Sequence, residues 1–84
     1  MTLNMYAVYD TKVERFNPPF YARNDQEACI LLLRSGVPKS IYNDVKLFCF
    51  GSYDDEAKPE KFFSKTASPR ELKLLPFPEV NYNG

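Results

Sequence analysis

The chain has no histidine and no tryptophan, and its 84 residues include only two cysteines and three glycines. Without histidine a Ser–His or Cys–His nucleophilic pair cannot form, and two isolated cysteines provide no zinc or transition-metal site. The glycines are scattered, so there is no glycine-rich phosphate loop. The sequence therefore predicts a protein that binds, without a cofactor, rather than an enzyme.

Net charge and long apolar runs are also missing. Eleven basic residues cancel eleven acidic ones, so the chain lacks the basic excess of many nucleic-acid-binding proteins. No apolar run approaches the ~20 residues of a membrane-spanning helix, and the first ten residues do not resemble a signal peptide. We expect a soluble protein in the cytoplasm, with no membrane partner.

Two smaller features each have two interpretations. Asp54, Asp55 and Glu56 form an acidic run that could hold a divalent cation, but the spacing is not that of a calcium loop, and a solvated turn is favoured. Cys29 and Cys49 lie inside apolar runs, which favours buried free thiols over a disulfide.

Aromatic residues are abundant: six Tyr and seven Phe. Such a chain folds rather than remaining disordered. Alternation predicts strands at Leu3 to Asp10 and Val45 to Tyr53, and a return strand at Lys61 to Lys65. A further strand at Val13 to Phe16 must lie at an edge or resume at Phe20 to Arg23, because Pro18-Pro19 cannot pair within a sheet.

One main helix is predicted from its end signals. Asn24 is a good N-cap and Glu27 follows three residues later, as in a capping box. Gly36 suits the left-handed position after the helix, and Pro38 blocks its continuation. Ala28 to Leu33 is apolar almost all round, which predicts a deeply buried helix.

The C-terminal segment carries a second helix-start signal. Ser68 as N-cap, Pro69 at the first position and Glu71 at the third predict a short helical turn through Leu75, followed by an extended tail. The fold class is therefore α+β: an antiparallel four-stranded sheet in the order β-β-α-β-β, with one main helix on one face. Residues 1–67 form the domain and residues 68–84 the helical turn and tail.

A single helix covers only one face of such a sheet, and the other face carries the candidate functional residues. If Val45, Leu47 and Cys49 face the helix, the opposite face carries three phenylalanines and three lysines, with Met5, Tyr6 or Tyr9 added according to register. The candidate nucleic-acid-binding residues are Phe48, Phe50, Phe63, Lys46, Lys61 and Lys65.

Aromatic rings interleaved with lysines bind single-stranded nucleic acid by stacking on bases and contacting phosphates. The same rings would also suit a dimer interface, or a surface beneath the C-terminal tail. The tail has two interpretations as well. Its apolar residues pack on the sheet, or Leu75 and Phe77 dock on a partner protein, with packing favoured.

Several short motifs resemble a known family. They are Met5-Tyr6-Ala7-Val8-Tyr9-Asp10, Pro19-Phe20, Ala22-Arg23-Asn24-Asp25 with Ala28, Leu47-Phe48, Gly51 and Tyr53-Asp54-Asp55. This order resembles the small nonstructural protein of the gokushoviruses, a branch of the Microviridae, which are small phages with single-stranded DNA genomes. The resemblance implies a phage protein made in the bacterial cytoplasm, absent from the capsid, and associated with genome replication or packaging. It transfers no site residues.

Two hypotheses follow. The first is a noncatalytic phage protein that binds single-stranded DNA during genome replication or packaging, as a homodimer. The second is an adaptor that acts on a phage or host replication or assembly protein through the sheet face or the tail.

Overall fold

A five-stranded antiparallel sheet, packed on one face by a helix, organises the computed structural model, which describes residues 1–78. The elements in chain order are β1 (Thr2–Asp10), β2 (Arg15–Phe16), β3 (Phe20–Ala22), α1 (Asp25–Arg34), α2 (Lys39–Tyr42), β4 (Val45–Asp54) and β5 (Phe63–Leu72). A 3-10 turn at Pro59–Lys61 precedes β5. The predicted fold class, an α+β domain with an antiparallel sheet and one main helix, is confirmed.

The strand count differs from the predicted four because the second strand is split. β2 and β3 both pair with β1, at Tyr9↔Phe16 and at Tyr6↔Phe20 respectively. The segment between them contains Pro18 and Pro19, whose nitrogens cannot donate to a ladder. The edge is thus made of two short strands, and the remaining order is β1-β4-β5.

Helix α1 begins and ends where its signals predict. The Asn24 side chain accepts a hydrogen bond from the Glu27 amide at 2.8 Å, and Gly36 has a φ of +86°, a backbone conformation that glycine adopts without steric cost. The expectation of burial all round is wrong: Ala28 and Leu32 are buried, but Leu31 is 38% exposed. Leu31 therefore lies on the solvent side of the helix.

The core lies between α1 and one face of the sheet. Its buried members are Tyr6, Val8, Ala22, Ala28, Cys29, Leu32, Tyr42, Val45, Leu47, Cys49 and Leu72. Val45, Leu47 and Cys49 thus face the helix, as predicted. Cys29 and Cys49 are free and buried, and burial raises the pKa of the Cys29 thiol.

No sequence signal predicted α2, and this short helix anchors the C-terminal segment. The Tyr42 hydroxyl donates a hydrogen bond to the Leu75 carbonyl, and the Tyr42 ring packs on Phe77 at a centroid distance of 5.3 Å. Leu74 and Phe77 are partly buried against the core. The favoured interpretation, a tail that packs on the domain, is confirmed for Leu72, Leu74 and Phe77, whereas Leu75 is exposed. The predicted extended tail beyond Pro78 lies outside the described residues.

The predicted helical turn beginning at Ser68 is wrong, because β5 continues through Leu72. The register moves from Gly51↔Lys65 to Cys49↔Arg70, so four residues, 66–69, stand opposite Phe50 alone. Pro69 lies within this bulge on the edge strand, where its missing N–H costs no ladder hydrogen bond. The strand also runs across the expected domain boundary at residue 67.

A polar cluster fixes the position of β5 after the bulge. The two terminal guanidinium nitrogens of Arg70, Nη1 and Nη2, donate to the Asp25 carboxylate at 2.7 and 2.9 Å. The Tyr6 hydroxyl donates to the same carboxylate at 2.8 Å. The guanidinium lowers the pKa of Asp25, whereas burial raises the pKa of Tyr6 to about 12. The cluster joins β5, α1 and β1, and it places the Arg70 side chain on the helix face.

Candidate nucleic-acid interface

The second face of the sheet carries most of the chain's aromatic side chains. Successive strand residues point to opposite faces, so the neighbours of the buried core residues on β1 and β4 point away from α1. We call the following set the aromatic face: Tyr9, Phe16, Tyr21, Phe48, Phe50, Tyr53 and Phe63, with Phe62 at its end.

A bulge on β4 allows this face to continue along the whole strand. Cys49 pairs with Tyr6 and Gly51 pairs with Met5, which leaves Phe50 as an extra residue between them. The extra residue reverses the alternation, so Phe48, Phe50 and Gly51 all lie on the second face. Without the bulge, the strand beyond it would present Ser52 there instead of Tyr53.

Four rings meet at one end of the aromatic face. Phe16 is at the centre: its ring centroid lies 4.8 Å from Tyr9, 6.0 Å from Phe48 and 5.4 Å from Phe50. Phe48 and Phe50 are 6.3 Å apart. These are the spacings of tilted and edge-to-face aromatic pairs. The cluster is partly solvent-accessible, since Phe16 is 49% exposed.

The other end is built around Tyr53. Its ring lies 5.0 Å from Tyr21 and 5.2 Å from Phe62, and Phe63 is its direct partner on β5. Tyr21 is 47% exposed and Phe63 41% exposed. Phe63 also covers Gly51, where a Cβ atom would lie 2.7 Å from the end of its ring.

Three charged residues of strands β4 and β5 lie among these rings. Lys46 pairs with Tyr9, Lys65 pairs with Gly51, and Glu71 pairs with Phe48, so all three point to the second face. Their charges sum to +2 − 1 = +1. Lys61 is in the 3-10 turn before β5, so its predicted position on the strand is wrong.

No described element covers this face. Helix α1, Tyr42 of α2 and the segment around Leu74 all pack against the core on the opposite side. Within residues 1–78, the aromatic face is therefore open to a ligand or to another protein.

Five of the six predicted nucleic-acid-binding residues lie together on the face: Phe48, Phe50, Phe63, Lys46 and Lys65. Sequence reasoning missed Phe16, Tyr21, Tyr53 and Phe62, which reach it through the split edge strand, the β4 bulge and the 3-10 turn. The two predicted partner-binding residues lie elsewhere. Phe77 packs on Tyr42, and Leu75 is 38% exposed.

Comparison with protein-family models gave a match to a phage family over part of the chain. The family model for Phage ORF5 protein matches residues 3–29, which comprise β1 to the first half of α1. This match supports a phage protein. Neither the curated proteins nor the solved structures contained a match to the chain.

Among the described residues, no helix is long and apolar enough to cross a membrane. The same part of the chain contains no group of three or more Cys, Asp or Glu side chains placed to hold a metal ion.

Proposed function

We propose that this is a noncatalytic phage protein that binds single-stranded DNA through the aromatic face during genome replication or packaging, and that it acts as a homodimer. The observation that carries the proposal is the open array of rings with Lys46 and Lys65 among them. The phage family match and the resemblance to the gokushovirus nonstructural protein supply the biological setting.

Base stacking provides the main attraction in this proposal. A base stacked on an exposed aromatic ring contributes ~1–3 kcal/mol, and every base has a face that can stack. The rings of the face with the most open surface are Phe16, Phe62, Tyr21 and Phe63. Phe48 and Phe50 are half-buried: they contact Phe16 edge to face and keep part of their own surface open to a base. The stacking contribution by itself is therefore expected to depend little on base sequence.

Electrostatics contributes less, which gives the proposal a quantitative signature. A protein that neutralises Z phosphates of a single strand has a slope of about −0.7Z in a plot of log K against log salt concentration. With Lys46 and Lys65 as the lysines that the described strands place on the face, Z is two and the slope is about −1.4. Replacing either lysine by alanine should make the slope shallower by about 0.7.

The direct test is fluorescence anisotropy with labelled oligo-dT. Phe48→Leu keeps an apolar side chain but removes the ring, so we expect weaker binding by about 1–3 kcal/mol if a base stacks there. Ile41→Ala is the matched control, because Ile41 is exposed on α2, away from the face. No binding by the wild-type protein at low salt would refute the proposal.

A second candidate is a protein-interaction adaptor that acts on a phage or host replication or assembly protein. It is favoured by the low charge of the aromatic face, only +1 from Lys46, Lys65 and Glu71, and by the exposed Leu75 on the tail. A large open apolar surface is also typical of protein interfaces.

Affinity capture from phage-infected cells separates the two candidates. If the aromatic face binds DNA, the wild-type protein should retain phage DNA that a single-strand nuclease removes, and Phe16→Asp should abolish this retention. If the protein is an adaptor, the same variant or Leu75→Asp should lose a defined protein partner in the presence of nuclease. The homodimer itself is tested by sedimentation over a range of protein concentrations.

A further inference from the structure

Glu71 is an acidic residue on a face proposed to bind a polyanion. Its direct partner across the β4–β5 ladder is Phe48. Its neighbours Arg70 and Leu72 both face the helix, through the ion pair to Asp25 and through burial in the core. The Glu71 side chain must therefore point to the aromatic face, where it is exposed.

The carboxylate of Glu71 has no partner within the described part of the chain. It makes no hydrogen bond and no ion pair with another residue of 1–78. Near a phosphate it would be repelled. The groups of single-stranded DNA that a carboxylate attracts are the N–H donors on the edges of the bases.

The arrangement around Phe48 indicates how a nucleotide would lie there. Directly opposed residues of an antiparallel pair have Cβ atoms about 4.5–5.5 Å apart, so Glu71 adjoins the edge of any base stacked on Phe48. Lys46 lies on the same face two residues before Phe48, nearer the start of β4, where it can contact a phosphate. The phosphate would lie toward Lys46 and the base edge toward β5.

The two pyrimidines differ at position 4, the edge group through which acidic side chains recognise cytosine. Cytosine carries an amino group at position 4 and is a donor there, whereas thymine carries a carbonyl oxygen and is an acceptor. A carboxylate accepts a hydrogen bond from the first and repels the second. Stacking area is closely similar for the two, so the edge decides the preference.

We propose that Glu71 is a specificity-determining residue that accepts a hydrogen bond from the amino group of a base stacked on Phe48, so that the face prefers cytosine to thymine. This inference rests on the proposed binding of single-stranded DNA. Glu71 is then the residue that distinguishes one base from another, because rings and lysines interact similarly with every nucleotide.

The test compares oligo-dC and oligo-dT of equal length by anisotropy, at mildly alkaline pH so that cytosine stays unprotonated. A hydrogen bond to a charged acceptor is expected to make wild-type binding of oligo-dC about tenfold tighter. Glu71→Gln offers both a donor and an acceptor, so its affinities for the two oligonucleotides should become nearly equal. Glu60→Gln makes the same charge change in the 3-10 turn and should keep the preference.

The outcomes distinguish the two levels of the proposal. Equal wild-type affinities for oligo-dC and oligo-dT, or an unchanged ratio in Glu71→Gln, would overturn the role of Glu71 while leaving the DNA-binding face intact. Binding of neither oligonucleotide at low salt would overturn the DNA-binding proposal itself. Circular dichroism of each variant verifies that the fold is retained, as expected for an exposed side chain.

Discussion

Gly51 is a position where a single added methyl group should disturb both the fold and the aromatic face. It lies after the β4 bulge, with β5 directly against it. A Cβ at this position would be 2.3 Å from the Ser64 carbonyl oxygen and 3.1 Å from the Lys65 Cα. Both are backbone atoms of the paired strand, so Gly51→Ala must push β5 away or break the ladder.

The loss of unfolding free energy in Gly51→Ala depends on the kind of atom that the new methyl group displaces. Overpacking a well-packed site costs typically about 1–3 kcal/mol, and a backbone obstacle places Gly51→Ala at about 3 kcal/mol, near the top of that range. Gly36→Ala is the matched control: a Cβ there meets nothing within 4 Å. Gly36→Ala should lose only the free energy needed to hold alanine in a left-handed backbone conformation, about 1–2 kcal/mol.

Urea unfolding followed by circular dichroism measures both variants. We expect Gly51→Ala to lose at least about 1 kcal/mol more unfolding free energy than Gly36→Ala. Because Phe63 covers Gly51, the folded fraction of Gly51→Ala should also bind oligo-dT more weakly, whereas Gly36→Ala should bind normally. Equal destabilisation by the two substitutions would refute the close approach of β5.

Three further predictions concern the polar cluster and the helix start. Because its pairing with Arg70 lowers the pKa of Asp25 below 3.8, the stability from this pair is complete above that pH and is lost as the pH falls through the lower folded value. The difference in unfolding free energy between wild type and Asp25→Asn should therefore shrink in acid. A difference that stays constant with pH would contradict this role of the ion pair. Tyr6 has a pKa raised from 10.0 to about 12, so its contribution should be lost as the pH rises over that interval, and Tyr6→Phe should lack this alkaline loss in a pH-dependent melt. Asn24→Ala should cost about 1 kcal/mol by losing the N-cap, whereas Asn24→Ser should retain most of that energy; equal melting of both variants would count against the cap.

Local signals predicted the elements whose ends are set by local chemistry. Asn24 and Gly36 marked α1 correctly, because capping depends on residues within one turn. Alternation along Val45 to Tyr53 placed Leu47 and Phe48 on opposite faces, since the core requires that register. Helix α2 was missed because no side chain caps its start at Pro38.

The errors came from long-range contacts. Ser68-Pro69-Arg70-Glu71 has the composition of a helix start, but Arg70 pairs with Asp25, 45 residues away, and the β5 bulge accommodates the proline. Similarly, Phe16 joins the aromatic face only because β2 pairs with β1. No local pattern shows which distant strand a two-residue segment will pair with.

The aromatic face is proposed to bind single-stranded DNA mainly by stacking. The most direct measurement is the affinity of the wild-type protein for oligo-dT as a function of salt, together with Phe48→Leu. If stacking is the main attraction, a plot of log K against log salt concentration should have a slope of about −1.4. Affinity should fall clearly when Phe48→Leu removes the ring. Absence of binding at low salt, or binding that Phe48→Leu leaves unchanged, would contradict it.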